Sequence, residues 1–188
     1  MDQTIIAGGK RVTIHLSARA TAPGARAVAS ASGATRSTAP DGWRDELAKA
    51  TREVFEIMVG TSLGKAREES PPFVADFAAM VGLAGSLCGL VGVHTSSECA
   101  RKMAGKMLGS EEVGGGEVVQ DAFGELCNMI AGSFKARIAG LADGCALSVP
   151  AVISGKDYTL YALANGERFE VLFPFEGNPF SVTLDLHG

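Results

Sequence analysis

The stretch Asp121-Ala-Phe-Gly-Glu125-Leu-Cys-Asn128-Met-Ile-Ala-Gly132, inside the longer run VVQDAFGELCNMIAGSFKARI, decides how this chain is organised. On an α-helix successive residues turn by about 100°. With Asp121 at zero, Glu125 falls near ~40°, Asn128 near ~340° and Gly132 near ~20°. Val119, Phe123, Leu126, Ile130 and Phe134 gather on the opposite side as a core-facing stripe. The pattern predicts a long amphipathic helix that buries aliphatic and aromatic side chains along one face. Its other face lines up two acids and an amide. Such a stripe is either ordinary solvated surface or a site offered to a partner, and the rest of the chain has to decide between them.

Upstream, Asp41 is placed to cap a helix from about Trp43 to Gly60, where Leu47, Thr51, Val54, Phe55 and Met58 share a face and Gly60 supplies the stop. A polar connection follows, broken by Pro71-Pro72. The Gly-rich apolar run FAAMVGLAGSLCGLVGVHT, from Phe77 to Thr95, reads as two close-packed strands turning near Gly85-Ser86, because glycine recurs too often for a helix. Ser96 or Ser97 then caps a helix to Leu108, with Gly109 as terminator. Beyond the motif helix and Gly140, strands are expected over Ala146–Ser154, Tyr158–Ala164, Arg168–Phe173 and Phe180–Leu186, with Asn165-Gly166 as a hairpin turn. Pro150 inside the first of these implies an edge, a bulge or a strand start.

The two long helices resemble each other. Setting Gly60 on Gly132 aligns Glu53-Val-Phe-Glu56-Ile-Met-Val-Gly60 with Glu125-Leu-Cys-Asn128-Met-Ile-Ala-Gly132. Each helix is followed, after a connection, by strands, which reads as a helix-then-sheet unit repeated twice. The fold class expected is α/β of the α+β type. The repeat is imperfect at one position, where Glu56 stands in place of Asn128.

Composition narrows the function. The 188 residues are 46% hydrophobic and 20% charged, enough for one globular domain with a real core. Net charge is −4, which gives no footprint for nucleic acid. Residues 1–40 hold five basic side chains and one acid, leaving 12 basic and 20 acidic residues, net −8, in 41–188. Residues 17–40 are Ala, Ser, Thr, Gly, Arg and Pro with almost no large side chains, so 1–40 is expected to be a disordered basic tail, with a short strand over 10–16, ahead of a domain at 41–188. Cys88, Cys99, Cys127 and Cys145 lack Cys-x-x-Cys spacing and sit in apolar or helical contexts, where free Cys behaves as a small hydrophobe. His15, His94 and His187 are far apart and form no ligand set, and Gly114-Gly-Gly116 lacks the Lys-Ser/Thr of a phosphate loop. No apolar run approaches the ~18 residues of a membrane span, and Gly8, Gly9, Lys10 and Arg11 interrupt the short apolar start. A cytoplasmic protein is expected.

Asp121-x3-Glu125-x2-Asn128, continued as Asn-Met-Ile-Ala-Gly and followed by Ser148-Val-Pro150-Ala-Val-Ile-Ser-Gly155, resembles the CheX branch of the CheC/CheX/FliY chemotaxis phosphatases over residues 41–188. The resemblance implies two pseudo-repeated α/β units whose strands form one antiparallel sheet, with the two long helices side by side on one face. It also implies a phosphatase acting on the aspartyl phosphate of a CheY-like receiver domain, with a single site in the second repeat and pairing as a homodimer through a sheet edge. Glu56 in the amide's place agrees with one site.

The chemistry accounts for the residue types. Acyl-phosphate hydrolysis passes through a loose transition state, so holding one water in line matters more than a strong base. A carboxamide accepts from that water through its oxygen while its NH2 is anchored elsewhere, the role the resemblance implies for Asn128. Glu125, one turn earlier, is expected to engage the receiver's active-site lysine, and Asp121 to make a rim contact. The divalent metal, Mg, is expected in the receiver, with no cofactor held by this chain. The alternative from another class is a non-catalytic adaptor that binds a receiver or a flagellar-switch-like partner through the same surface.

Overall fold

Glycine and serine set the helix ends of this protein, and hydrophobic periodicity sets their faces. The computed structural model describes residues 3–7, 10–14, 42–66, 73, 75–110, 114–155 and 166–187. The chain divides into two units, Met1–Ala34 and Thr35–Gly188. The first holds an antiparallel hairpin of β1 (Gln3–Ala7) and β2 (Lys10–Ile14), with Gln3 opposite Ile14. The strand expected within 10–16 is therefore present and has a partner that the sequence reading did not foresee. The rest of the expected tail after Ile14, residues 15–40, lies outside the described residues.

In the second unit, α1 runs over Trp43–Val54 and continues as a wider π-helical turn, Phe55–Val59. Gly42 caps it at φ 110° without a side-chain bond, which corrects the expected Asp41 cap; the Gly42 carbonyl accepts from the Glu46 N–H at 2.9 Å. Gly60 ends it at φ 64°, a left-handed conformation that glycine adopts without a Cβ penalty. Strands β3 (Phe77–Gly85) and β4 (Gly89–Thr95) form the expected close-packed pair. In α2 (Ser97–Leu108) the Ser96 hydroxyl accepts from the Cys99 N–H at 3.2 Å, and Gly109 closes the helix at φ 64°. The motif helix, α3, spans Gly116–Arg137 and is followed by a single turn, α4 (Leu141–Gly144).

The strand expected over Ala146–Ser154 is two strands, β5 (Cys145–Leu147) and β6 (Ala151–Ser154), both paired with β3. The break is built from Ser148. Its backbone N–H donates to the Gly82 carbonyl at 2.9 Å, while its hydroxyl accepts from the Gly82 N–H at 2.9 Å. A side chain thus takes over one ladder position, and Pro150, which has no N–H to donate, falls just ahead of β6. The last hairpin is β7 (Arg168–Phe175) and β8 (Asn178–Leu186), each slightly longer than expected. The strand expected over 158–164 and Asn165 of its turn lie outside the described residues.

The sheet order is β5-β3-β4-β8-β7, with β6 beside β5 along β3, and every pairing is antiparallel. Helices α1 and α3 lie against each other on one face, α1 over β7 and β8 and α3 over β3 and β4. This is the expected architecture: two helix-and-sheet units sharing one antiparallel sheet. Between the layers lies one core that includes Leu47, Phe55, Phe123, Leu126, Ile130 and Phe134 from the helices with Val91, Val93, Val182 and Leu184 from the strands. Phe55 stacks on Phe180 at 4.7 Å between ring centroids and meets Phe175 edge-on at 5.7 Å. The opposite sheet face carries small and polar side chains in cross-strand register, Ala78–His94–Ser181 and Gly92–Thr183. There the His94 ring lies over Gly92, with Nε2 3.3 Å from Thr183 Oγ1, in space that a methyl at Gly92 would enter at 2.7 Å.

Candidate functional site on helix α3

The burial of α3 follows the periodicity in its sequence. Val119, Phe123, Leu126, Ile130 and Phe134 are buried, while Asp121 and Glu125 are exposed and Asn128 and Gly132 are half-exposed. Glu117 in the first turn and Lys135 and Arg137 in the last complement the helix dipole. Asn128 Nδ2 donates to Glu125 Oε2 at 3.4 Å, a long hydrogen bond between neighbours one turn apart. With the NH2 turned toward the carboxylate, the amide oxygen is left as an acceptor.

The segment that follows β5 runs beside this stripe. A methyl at Gly132 would lie 4.0 Å from Leu147 Cδ1, and one at Gly124 would lie 3.5 Å from Pro150 Cβ and 3.3 Å from Val152 Cγ2. Residues 147–150 therefore travel along α3 from Gly132 back to Gly124, past the turns that carry Asn128 and Glu125. The buried Gly124 permits that approach, and Pro150 packs where a longer side chain on α3 would stand. Val149, at the crest of this segment, is 80% exposed.

On the other flank stands α1. Glu53, which aligns with Glu125 in the repeat, is not presented outward in the same way. Its Oε2 accepts from Ser133 Oγ and from Arg137 Nη2, both at 2.7 Å, and Arg137 Nη1 also reaches Glu46 Oε2 at 3.7 Å. The Ser133 hydroxyl, then Arg137, hold the Glu53 carboxyl below the usual carboxylate range. The two aligned glycines also differ: Gly60 terminates its helix, whereas Gly132 lies five residues inside α3. The first repeat thus keeps the frame but spends its acid on a brace between helices.

Between α1 and α3 opens a groove of about 490 Å³, lined by Ile57, Met129, Gly132 and Leu147, with Asn128 on its wall and Glu53 and Arg137 also at its edge. Ile57, carried by the π-helical turn, is 67% exposed. Sequence reading missed Ser133, Arg137, Ile57 and Val149; the repeat alignment had marked Glu53 without showing its partner. The cysteines stand apart from this surface: Cys99, Cys127 and Cys145 are buried and Cys88 is exposed. Cys127 lies beneath the sheet, Sγ 3.5 Å from the Ala79 carbonyl, and burial pushes its thiol up to about 12.

A family model described as chemotaxis phosphatase CheX matches residues 77–174, from β3 through the whole of α3 and into β7. The chain belongs to the CheX family. Solved structures agree at the level of the fold. CheX from Vibrio vulnificus is 22% identical with a TM-score of 0.69, the match covering 80% of this chain and 100% of that one. CheX from Desulfovibrio desulfuricans is 24% identical with a TM-score of 0.66, covering 77% and 99%. The Borrelia burgdorferi structure, a complex of CheX with CheY, BeF3 and Mg, is 22% identical with a TM-score of 0.62, covering 78% and 98%. None of the curated proteins matches the chain. Among the described residues, no helix is long and apolar enough to cross a membrane.

Proposed function

We propose that this CheX-family protein binds a phosphorylated CheY-like receiver domain and hydrolyses its aspartyl phosphate. Asn128 enters the receiver's site and holds the attacking water through its amide oxygen. Glu125 docks on the receiver's active-site lysine by a charge-assisted hydrogen bond and, through the amide NH2, fixes which way Asn128 points. Asp121 makes a rim contact one turn earlier. The acyl phosphate's own metaphosphate-like transition state asks for little more than this alignment. The divalent cation, Mg, belongs to the receiver, where it would offset charge on the phosphoryl oxygens.

The observation that carries this reading is the Asn128–Glu125 pair itself, a half-exposed amide whose NH2 is turned toward the exposed carboxylate one turn earlier. Ile57 and Val149 give the stripe apolar flanks, the pattern of a protein-docking surface rather than of a solvated helix face. The complex of the Borrelia relative with CheY is consistent with such a partner. We further propose a homodimer paired through a sheet edge; among the described strands, β7 and the β5–β6 pair stand at the two ends of the sheet. The function is tested by following loss of phosphate from acetyl-phosphate-labelled receivers taken from the same genome. Acceleration of at least one receiver, at catalytic amounts of this protein, is the expected result. Stable complexes without any acceleration would instead favour the adaptor role.

A further inference from the structure

We infer that the groove crossing α3 at Gly132 is a specificity pocket that receives one apolar side chain from the rim of the receiver's phosphoacceptor site, with Ile57 as its outer wall. This rests on the receiver-binding role proposed above and adds a recognition element to it. The floor of the groove is Gly132, whose missing side chain leaves a saddle over the helix next to the turn that carries Asn128. Ile57, Met129 and Leu147 line the groove, with Leu147 Cδ1 4.0 Å from where a Cβ on Gly132 would stand. At about 490 Å³ it is an open groove with ample room for one large side chain.

The chemistry of the lining selects the occupant. Glu53 and Arg137, the charged groups at the edge, already satisfy each other at 2.7 Å, and Ser133 donates to the same carboxylate oxygen. A charged guest would find no unmatched partner and would lose its own hydration. An aliphatic or aromatic guest would instead cover Ile57, which is two-thirds exposed without it. The groove is continuous with Asn128, so a side chain seated in it lies beside the amide and adds to the affinity of docking. Receivers lacking a large apolar residue at that rim position would dock less well.

The test fills the saddle. Gly132 has ordinary helical backbone, and an added Cβ meets nothing closer than Leu147 Cδ1 at 4.0 Å, so Gly132→Ala is compatible with the fold and Gly132→Leu extends a side chain into the groove. Steady-state turnover of the phosphorylated receiver should show KM raised about tenfold or more with kcat within about twofold. Gly132→Ala should give a smaller rise. Ile57→Ser, at an exposed position, should raise KM several-fold and supplies an independent readout if the leucine variant folds poorly. Asn128→Ala in the same assay separates the two claims. If it loses turnover while Gly132→Leu and Ile57→Ser keep the wild-type KM, the pocket is overturned and the proposed function stands. A loss of kcat at unchanged KM in Gly132→Leu would also overturn the pocket, since it would mean a displaced Asn128. If Asn128→Ala turns over normally, the proposed function itself fails.

Discussion

Two glycines eight residues apart on α3 do opposite work. Gly124 is buried against Pro150 and Val152, where a methyl already sits at 3.3 Å, so a longer side chain there must push β6 away from the helix. Gly124→Leu is expected to cost about 1–3 kcal/mol in chemical denaturation, the usual penalty of overpacking. At Gly132 a methyl would make only an ordinary contact with Leu147 Cδ1 at 4.0 Å, and Gly132→Ala should leave stability unchanged or raise it by up to about 1 kcal/mol, the helix-propensity difference. If both substitutions cost the same, the packing assigned to residues 147–150 along α3 is wrong. Thiols provide a second residue-level check. Cys88 is exposed whereas Cys99, Cys127 and Cys145 are buried, so a thiol-reactive probe should label one cysteine rapidly in the native protein and the other three only on unfolding. Rapid labelling of Cys127, whose thiol burial pushes up to about 12, would contradict its place under the sheet.

At the scale of elements, the brace between α1 and α3 explains why the two repeats diverged in use. Glu53 has the register of Glu125, yet Ser133 and Arg137 take up its carboxylate. The carboxyl's affinity for protons is lowered in the fold, so its stabilisation is present above the unfolded carboxylate pKa and is lost as pH falls through the lower folded value. Because the pair is solvent-exposed, Glu53→Gln should cost well under about 1 kcal/mol at neutral pH. That difference should shrink in high salt and vanish in acid; a loss independent of both would point to packing instead. The faces of the helices, the β3–β4 pair and the Gly60, Ser96 and Gly109 ends were legible in the sequence because periodicity and capping are local. The break at Ser148 was not, because it depends on a hydroxyl meeting the Gly82 backbone across the sheet. The π-helical turn that lifts Ile57 was equally hidden, as was Glu53's use in the brace, which requires Ser133 and Arg137 from a helix eighty residues away. For the candidate site, the stripe of Asp121, Glu125 and Asn128 was readable from spacing; its aliphatic flanks come from other elements and were not.

The second unit is a two-layer frame whose helical face carries the candidate site and whose opposite sheet face carries small and polar residues around His94. Burial, followed by the nearby Arg168, lowers the proton affinity of His94, against weaker opposing effects of Glu170 and Asp185. The unfolded chain therefore binds that proton more readily than the folded one. Stability should be full above the unfolded histidine pKa of ~6.5 and decline as pH drops below it, by at most about 1.4 kcal/mol per pH unit for one proton. Urea midpoints between pH 7.5 and 5.5 should fall for the natural protein and fall less for His94→Gln. An equal decline in both would assign the effect to other groups.

The proposed chemistry depends on the single amide of Asn128, and its contribution is read most directly from single-turnover decay of the phosphorylated receiver. With the complex preformed at saturating concentrations, Asn128→Ala should slow phosphate loss by about a hundredfold or more while the dissociation constant for a beryllium-fluoride-loaded receiver changes little. Unchanged decay in the bound Asn128→Ala complex would mean that Asn128 does not hold the attacking water.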